Sequence, residues 1–143
     1  MTQENKEFLL KELCARLPYG VIGKYSWKGR EPYNRELTGN LYDELKSSWN
    51  STGDSEFFPY LRSMSSMSEE EKEELKNLCD AKEVTSNSIC YHESGTLVDY
   101  LLVSYSFCSE IINWLNAHHF DYRGLIPKGL AIEVTEDNNL YKE

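Results

Sequence analysis

The sequence predicts an α+β fold, a small antiparallel sheet with about three helices packed on it in one compact domain spanning 1–143, and three observations carry that expectation. Apolar residues recur at helical spacing in the segments 4–17, 69–82 and 107–118. Four other segments, 20–37, 88–92, 97–105 and 130–134, are rich in strand-forming residues or alternate between apolar and polar. Finally, 33 of the 143 residues are Leu, Ile, Val or Phe, enough for one modest core at the ordinary length of one domain.

In the first helix, Leu10, Leu13, Cys14 and Leu17 fall at i, i+3, i+4, i+7, with Phe8 and Leu9 widening the stripe. Pro18 ends it, because the residue before a proline is pushed out of the helical region, and Tyr19-Gly20 supplies a turn. Val21, Ile22, Tyr25 and Trp27 then favour a strand, Lys28-Gly29-Arg30-Glu31-Pro32 reverses the chain, and a second strand covers 33–37. Over 38–58 the pattern stays open. Leu41, Tyr42 and Leu45 suit a helix, whereas Leu41, Asp43 and Leu45 suit an alternating strand. The polar run 47–55 reads as a mobile loop with Trp49 as its odd member.

Ser68 followed three residues later by Glu71 is a capping box, and Glu69, Glu70 and Glu71 face the positive end of the helix dipole. Leu75, Leu78 and Cys79 give that helix a narrow apolar side. Segments 88–92 and 97–105 read as a hairpin around Glu93-Ser94-Gly95, the second strand apolar on both faces and therefore central in the sheet. Ile111, Trp114, Leu115 and His118 mark the third helix, and Gly124 and Pro127 punctuate its exit. Leu130, Ile132 and Val134 alternate as a short final strand, and the polar tail 134–143 is expected to fray.

The net charge of -9 is unevenly spread. Residues 1–62 carry nine cations and nine acids, and residues 63–143 carry six against fifteen. An acidic surface repels phosphate, which argues against a general nucleic-acid or anionic-membrane binder. Cys14, Cys79, Cys90 and Cys108 form no close pair and sit among apolar neighbours, which favours reduced, buried thiols over disulfides. No run of about 18 apolar residues is present to span a bilayer, and the first residues lack the basic and apolar regions of an export signal, so a cytoplasmic protein is expected.

Three blocks look like shared family segments: 8–21, ending in Leu13-Cys14-Ala15-Arg16-Leu17-Pro18-Tyr19-Gly20-Val21; 59–75, opening on Pro59-Tyr60-Leu61-Arg62-Ser63-Met64; and 113–132, with Trp114-Leu115-Asn116-Ala117-His118-His119-Phe120. Together they cover 51 of 143 residues and resemble small proteins of Bacteroides and related gut bacteria found in prophage or other mobile regions. The family pattern has a second proline where this chain has Ser63. The resemblance implies an intracellular setting in a phage or mobile element, and it carries over no activity and no catalytic residues.

Three groups of residues invite a functional reading. His118, Asp121 and Arg123 offer a general base, an orienting carboxylate and a cation, as an acid–base or hydrolytic site requires. A histidine at a helix end and an ion pair in a turn explain the same residues structurally, and no nucleophile motif accompanies them. Tyr60, Leu61, Met64 and Met67 precede the acidic helix and form a candidate docking edge, since methionine adapts to varied partner surfaces. Lys24, Tyr25, Trp27, Lys28, Arg30, Tyr33 and Arg35 make a basic aromatic stretch, with four cations to one acid over 24–35, able to stack a base or a small ligand. The Cys90-x-His92 pair has no metal-site spacing behind it, so neither metal nor cofactor is expected. The leading expectation is a non-enzymatic accessory protein acting on an unknown protein partner, through the acidic second half or the 59–67 edge. Nucleic-acid or small-ligand binding through 24–35 stands second, with nucleic acid disfavoured by charge, and a hydrolase-like site at 118–123 third. A homo-oligomer is an open alternative, and no membrane partner is expected.

Overall fold

The computed structural model describes residues 1–51, 53–81 and 105–141, and it is α+β: among these residues four α-helices accompany a four-stranded sheet. The chain forms two compact units, Met1–Leu61 with Leu125–Glu143, and Arg62–Gly124. The hairpin expected at 88–105 lies outside the described residues except for Tyr105, which opens a helix.

The first unit begins with α1 (Gln3–Arg16), whose Thr2 hydroxyl accepts the Asn5 N–H at 3.1 Å, an N-cap. Its buried side is Leu9, Glu12, Leu13 and Arg16, not the expected stripe through Leu10 and Cys14. Cys14 is a free, exposed thiol, which corrects its reading as a core residue. The stripe was misplaced because Arg16, fully buried one turn beyond Glu12, takes a position that an apolar residue usually fills. Leu17–Tyr19 form a single 3-10 turn, and Gly20, at φ +70°, reverses the chain into β1 (Ile22–Trp27). Lys28 and Gly29, both at positive φ, make a two-residue turn closed by the Arg30 N–H on the Trp27 carbonyl at 3.0 Å, and β2 (Tyr33–Glu36) returns antiparallel to β1.

The segment left open by its pattern divides into two elements. Thr38 caps α2 (Gly39–Trp49) by accepting the Leu41 N–H at 3.2 Å, and Leu41, Leu45 and Trp49 are its buried face. The expected mobile loop 47–55 is therefore shorter than its polar run: Ser47 to Trp49 complete the helix, and Trp49 donates its ring N–H to the Ser55 carbonyl at 2.7 Å. β3 (Ser55–Leu61) follows and pairs antiparallel with β1, Phe57 opposite Tyr25. Pro59 is tolerated because the rungs to β1 fall at alternate residues, such as Phe58 opposite Lys24, leaving the proline nitrogen turned away from β1. Opposite Pro59 stands Gly23, over which the Phe57 ring lies so closely that a Cβ there would be 2.3 Å from the ring.

The sheet order is β2-β1-β3-β4, with β4 (Ile132–Glu133) parallel to β3, so the sheet is mixed. A parallel neighbour is open to this chain because 62–124 intervenes between β3 and the return at Leu125. The tail expected to fray is tied down instead as far as Tyr141, the last described residue. The Val134 N–H donates to the Leu61 carbonyl at 2.8 Å, and the Tyr141 hydroxyl accepts the Ile22 N–H at 2.8 Å while facing the Tyr60 carbonyl at 2.8 Å and the Ile22 carbonyl at 3.1 Å. Ile22 and Tyr60 are where the next β1–β3 rung belongs, so the phenol takes the place of a backbone hydrogen bond. Burial is the main reason the Tyr141 hydroxyl keeps its proton far above the usual phenol range.

The second unit pairs α3 (Glu69–Ala81) with α4 (Tyr105–Ala117) around Leu75, Ile111, Ile112, Leu115, Phe120 and Tyr122. The capping box forms as expected: the Glu71 N–H donates to the Ser68 hydroxyl at 3.1 Å and the Ser68 N–H to the Glu71 carboxylate at 3.0 Å. Arg62 adds a bidentate pair to the same carboxylate, 2.6 Å at each oxygen.

Candidate functional site

The docking edge expected from Tyr60, Leu61, Met64 and Met67 is buried. Tyr60 and Leu61 finish β3 in the first unit, and Met64 and Met67 enter the core of the second, all with less than a tenth of their surface exposed. The apolar character that suggested a surface for a partner is used within each unit, because Pro59 does not interrupt the strand.

At 118–123 the structure builds a helix ending. His119 stands at φ +62°, the His119 N–H donates to the Asn116 carbonyl at 3.1 Å, and the Phe120 N–H to that of Leu115 at 3.0 Å. This is the Schellman pattern, with histidine in the left-handed position that glycine usually takes and the Phe120–Leu115 apolar pair behind it. The His118 ring stacks on Trp114 at 4.1 Å, its Nδ1 lies 2.9 Å from the Trp114 carbonyl, and its Nε2 lies 4.0 Å from Glu74. Asp121 is buried, and its N–H donates to the Arg62 carbonyl while the Arg62 N–H donates to that of His119, both at 2.8 Å. Packing and chain reversal thus account for His118 and for the backbone of Asp121, and Arg123 lies two residues beyond at the unit's end. Among the described side chains no group of three metal-ligating residues comes together; Cys79, Cys90, His92 and Cys108 lie outside them.

The basic aromatic hairpin does assemble a site. In β1 and β2 alternate residues share a face, and the register sets Tyr25 against Tyr33 and Gly23 against Arg35 on the face that also carries Trp27. Lys24 projects to the opposite face with Asn34 and leaves the group. The Tyr25 and Tyr33 rings meet edge to face with centroids 5.7 Å apart. Arg35 lies over the Tyr25 ring at 5.3 Å, and Lys28 and Arg30 lie over Trp27 at 4.7 and 5.1 Å. Around them opens a cavity of about 270 Å³, lined by Tyr25, Trp27, Arg30, Tyr33 and Arg35 together with Glu31 and Glu44. Tyr25 is its floor, 5% exposed, whereas Trp27 and Tyr33 keep 38% and 54% of their surfaces open. Burial, then the charge and hydrogen bond of Glu44, push the Tyr25 phenol up, so it remains a donor to that carboxylate at neutral pH.

Two lining residues were missed in the sequence. Glu31 belongs to the expected reversal 28–32, and Glu44 lies on α2, whose helical nature periodicity leaves undecided. Its position three residues after Leu41 and one before Leu45, beside the buried stripe of a helix, is the signal that a decided helix would have given. Comparison with protein-family models, with curated proteins and with solved structures gives no match. Among the described residues no helix is long and apolar enough to cross a membrane.

Proposed function

We propose that this is a non-enzymatic binding protein whose ligand site is the pocket at the turn end of the β1–β2 hairpin, acting in the cytoplasm in the phage or mobile-element setting that the three sequence blocks suggest. The observation that carries the reading is the convergence of three aromatic rings and two guanidiniums on one cavity of about 270 Å³ while Trp27 and Tyr33 stay exposed. Placing such rings outside a core leaves large apolar surface in water, which a bound ring would cover. A long polyanion draws less support, since Glu31 and Glu44 balance Arg30 and Arg35 in the lining.

A protein partner at the same place is the second reading, favoured by one observation: Trp, Tyr and Arg are the residue types that dominate interface hot spots, and they make up five of the seven lining residues. Amide chemical-shift mapping with a library of small planar ligands separates the two. Shifts concentrated at 25–35 and Glu44 support the ligand site. No shifts there, together with a host protein captured by the parent and lost with Trp27→Ala, replace it with the partner reading.

A further inference from the structure

We propose that the pocket is a receptor for a guanine base, an inference that rests on the ligand-binding reading above and names its ligand. Trp27 and Tyr33, the exposed aromatic walls, present flat apolar surface, so the complement is a planar ring. Arg30 and Arg35 lie over the rings of Trp27 and Tyr25. A guanidinium held over a ring by its charge keeps N–H donors that the ring does not use. Those donors form a fork that matches two adjacent acceptors, and guanine carries that pair in O6 and N7.

Glu31 and Glu44 supply the other half of the match. A carboxylate accepts from two adjacent donors, and the opposite edge of guanine offers N1–H and the N2 amino group side by side. Adenine has neither two adjacent acceptors nor two adjacent donors, and the pyrimidines lack the second ring that separates two such edges. The lining is also balanced in charge, two guanidiniums against two carboxylates. A balanced site gives a bare phosphate no advantage and accepts a neutral ring whose own edges are polar. The volume, about 270 Å³, holds one base with its sugar and leaves phosphates in solvent. The base has two possible sources, a free guanine nucleotide or an unpaired guanine in a single strand, and the chemistry of recognition is the same for both.

The test titrates the full chain with GMP, AMP, CMP and UMP, and with the single strands UUGUU and UUUUU as RNA, following amide shifts and the emission of Trp27. A Trp27→Phe variant identifies that signal among the tryptophans. The expected result is that GMP moves 25–35 and Glu44 and outcompetes AMP by about tenfold or more, with UUGUU favoured over UUUUU to a similar degree. Glu44→Gln, with its fold checked by circular dichroism, narrows the preference for GMP over AMP without abolishing it, since the arginine fork remains, and Arg35→Ala weakens GMP by about tenfold. UUGUU binding more tightly than GMP assigns the source to a strand, and the reverse order to a free nucleotide. Equal affinity for all four nucleotides overturns the guanine assignment and leaves the ligand-binding reading standing, as does binding of indole-3-acetate without any nucleotide. No response at 25–35 to any of these probes overturns both.

Discussion

Glu71 shows how one side chain comes to hold several groups at once. Burial pushes its carboxyl up, but hydrogen bonds from Arg62 and from the Ser68 backbone outweigh it and bring the pKa down to about 2. A carboxyl depressed in the folded state contributes stability that is present above the ordinary carboxylate range and is lost as pH falls from about 4 toward 2. Glu71→Gln is expected to cost about 1–3 kcal/mol at pH 7, by the usual worth of charge-assisted bonds. It should also flatten the fall in urea midpoint between pH 5 and pH 2.5. A variant with the same acid sensitivity as the parent would remove Glu71 from that role. Tyr141 is the counterpart in the first unit. Tyr141→Phe keeps the ring and leaves the Ile22 N–H without its acceptor, so a loss of about 1–3 kcal/mol and faster amide exchange at Ile22 are expected. Unchanged exchange at Ile22 would show that water replaces the phenol.

Elements were legible in the sequence where a local rule was complete. The Ser68–Glu71 capping box places a boundary with neighbouring residues alone and stands where expected, and the reversal expected over 28–32 turns at Lys28-Gly29, whereas Leu17 before Pro18 stays helical and the chain breaks at Gly20 after a 3-10 turn. The other misses share a physical cause, a local signal overridden by distant partners. Arg16 enters a buried stripe, Pro59 sits inside a strand, and Tyr141 is held by a residue 119 positions away. The same holds for the candidate site. Its aromatic and cationic members were visible as a run over 24–35, whereas Glu44 required knowing that 39–49 is helical. Thr38 is the residue that decides that helix, because its hydroxyl satisfies the Leu41 N–H. Thr38→Ala is expected to lower stability by about 1 kcal/mol, and Thr38→Asp to restore most of it. If both variants melt with the parent, packing of Leu41, Leu45 and Trp49 alone fixes α2.

At the scale of the whole chain, the first unit is discontinuous in sequence, closed by Leu125–Glu143 after an excursion through 62–124. What the returning segment brings is unusually concentrated. Leu125 and Leu130 are buried in the first unit's core, β4 pairs with Tyr60 and Leu61, and Tyr141 fills the gap beside Ile22. Burying two leucines contributes about 3–6 kcal/mol and the Tyr141 bonds a further 1–3 kcal/mol or so. That sum is comparable with the entire stability of an ordinary domain, about 5–15 kcal/mol. A chain ending at Gly124 is therefore expected to lose the fixed environment of Trp49, which is buried against Ser55 in this unit, even though every residue of β1, β2 and β3 is still present. Near-ultraviolet circular dichroism and the cooperativity of the urea transition measure it, and a synthetic 125–143 peptide added in trans should restore part of both. Retention of the parent's Trp49 signal and midpoint by the shortened chain would mean that residues 1–61 hold their core unaided.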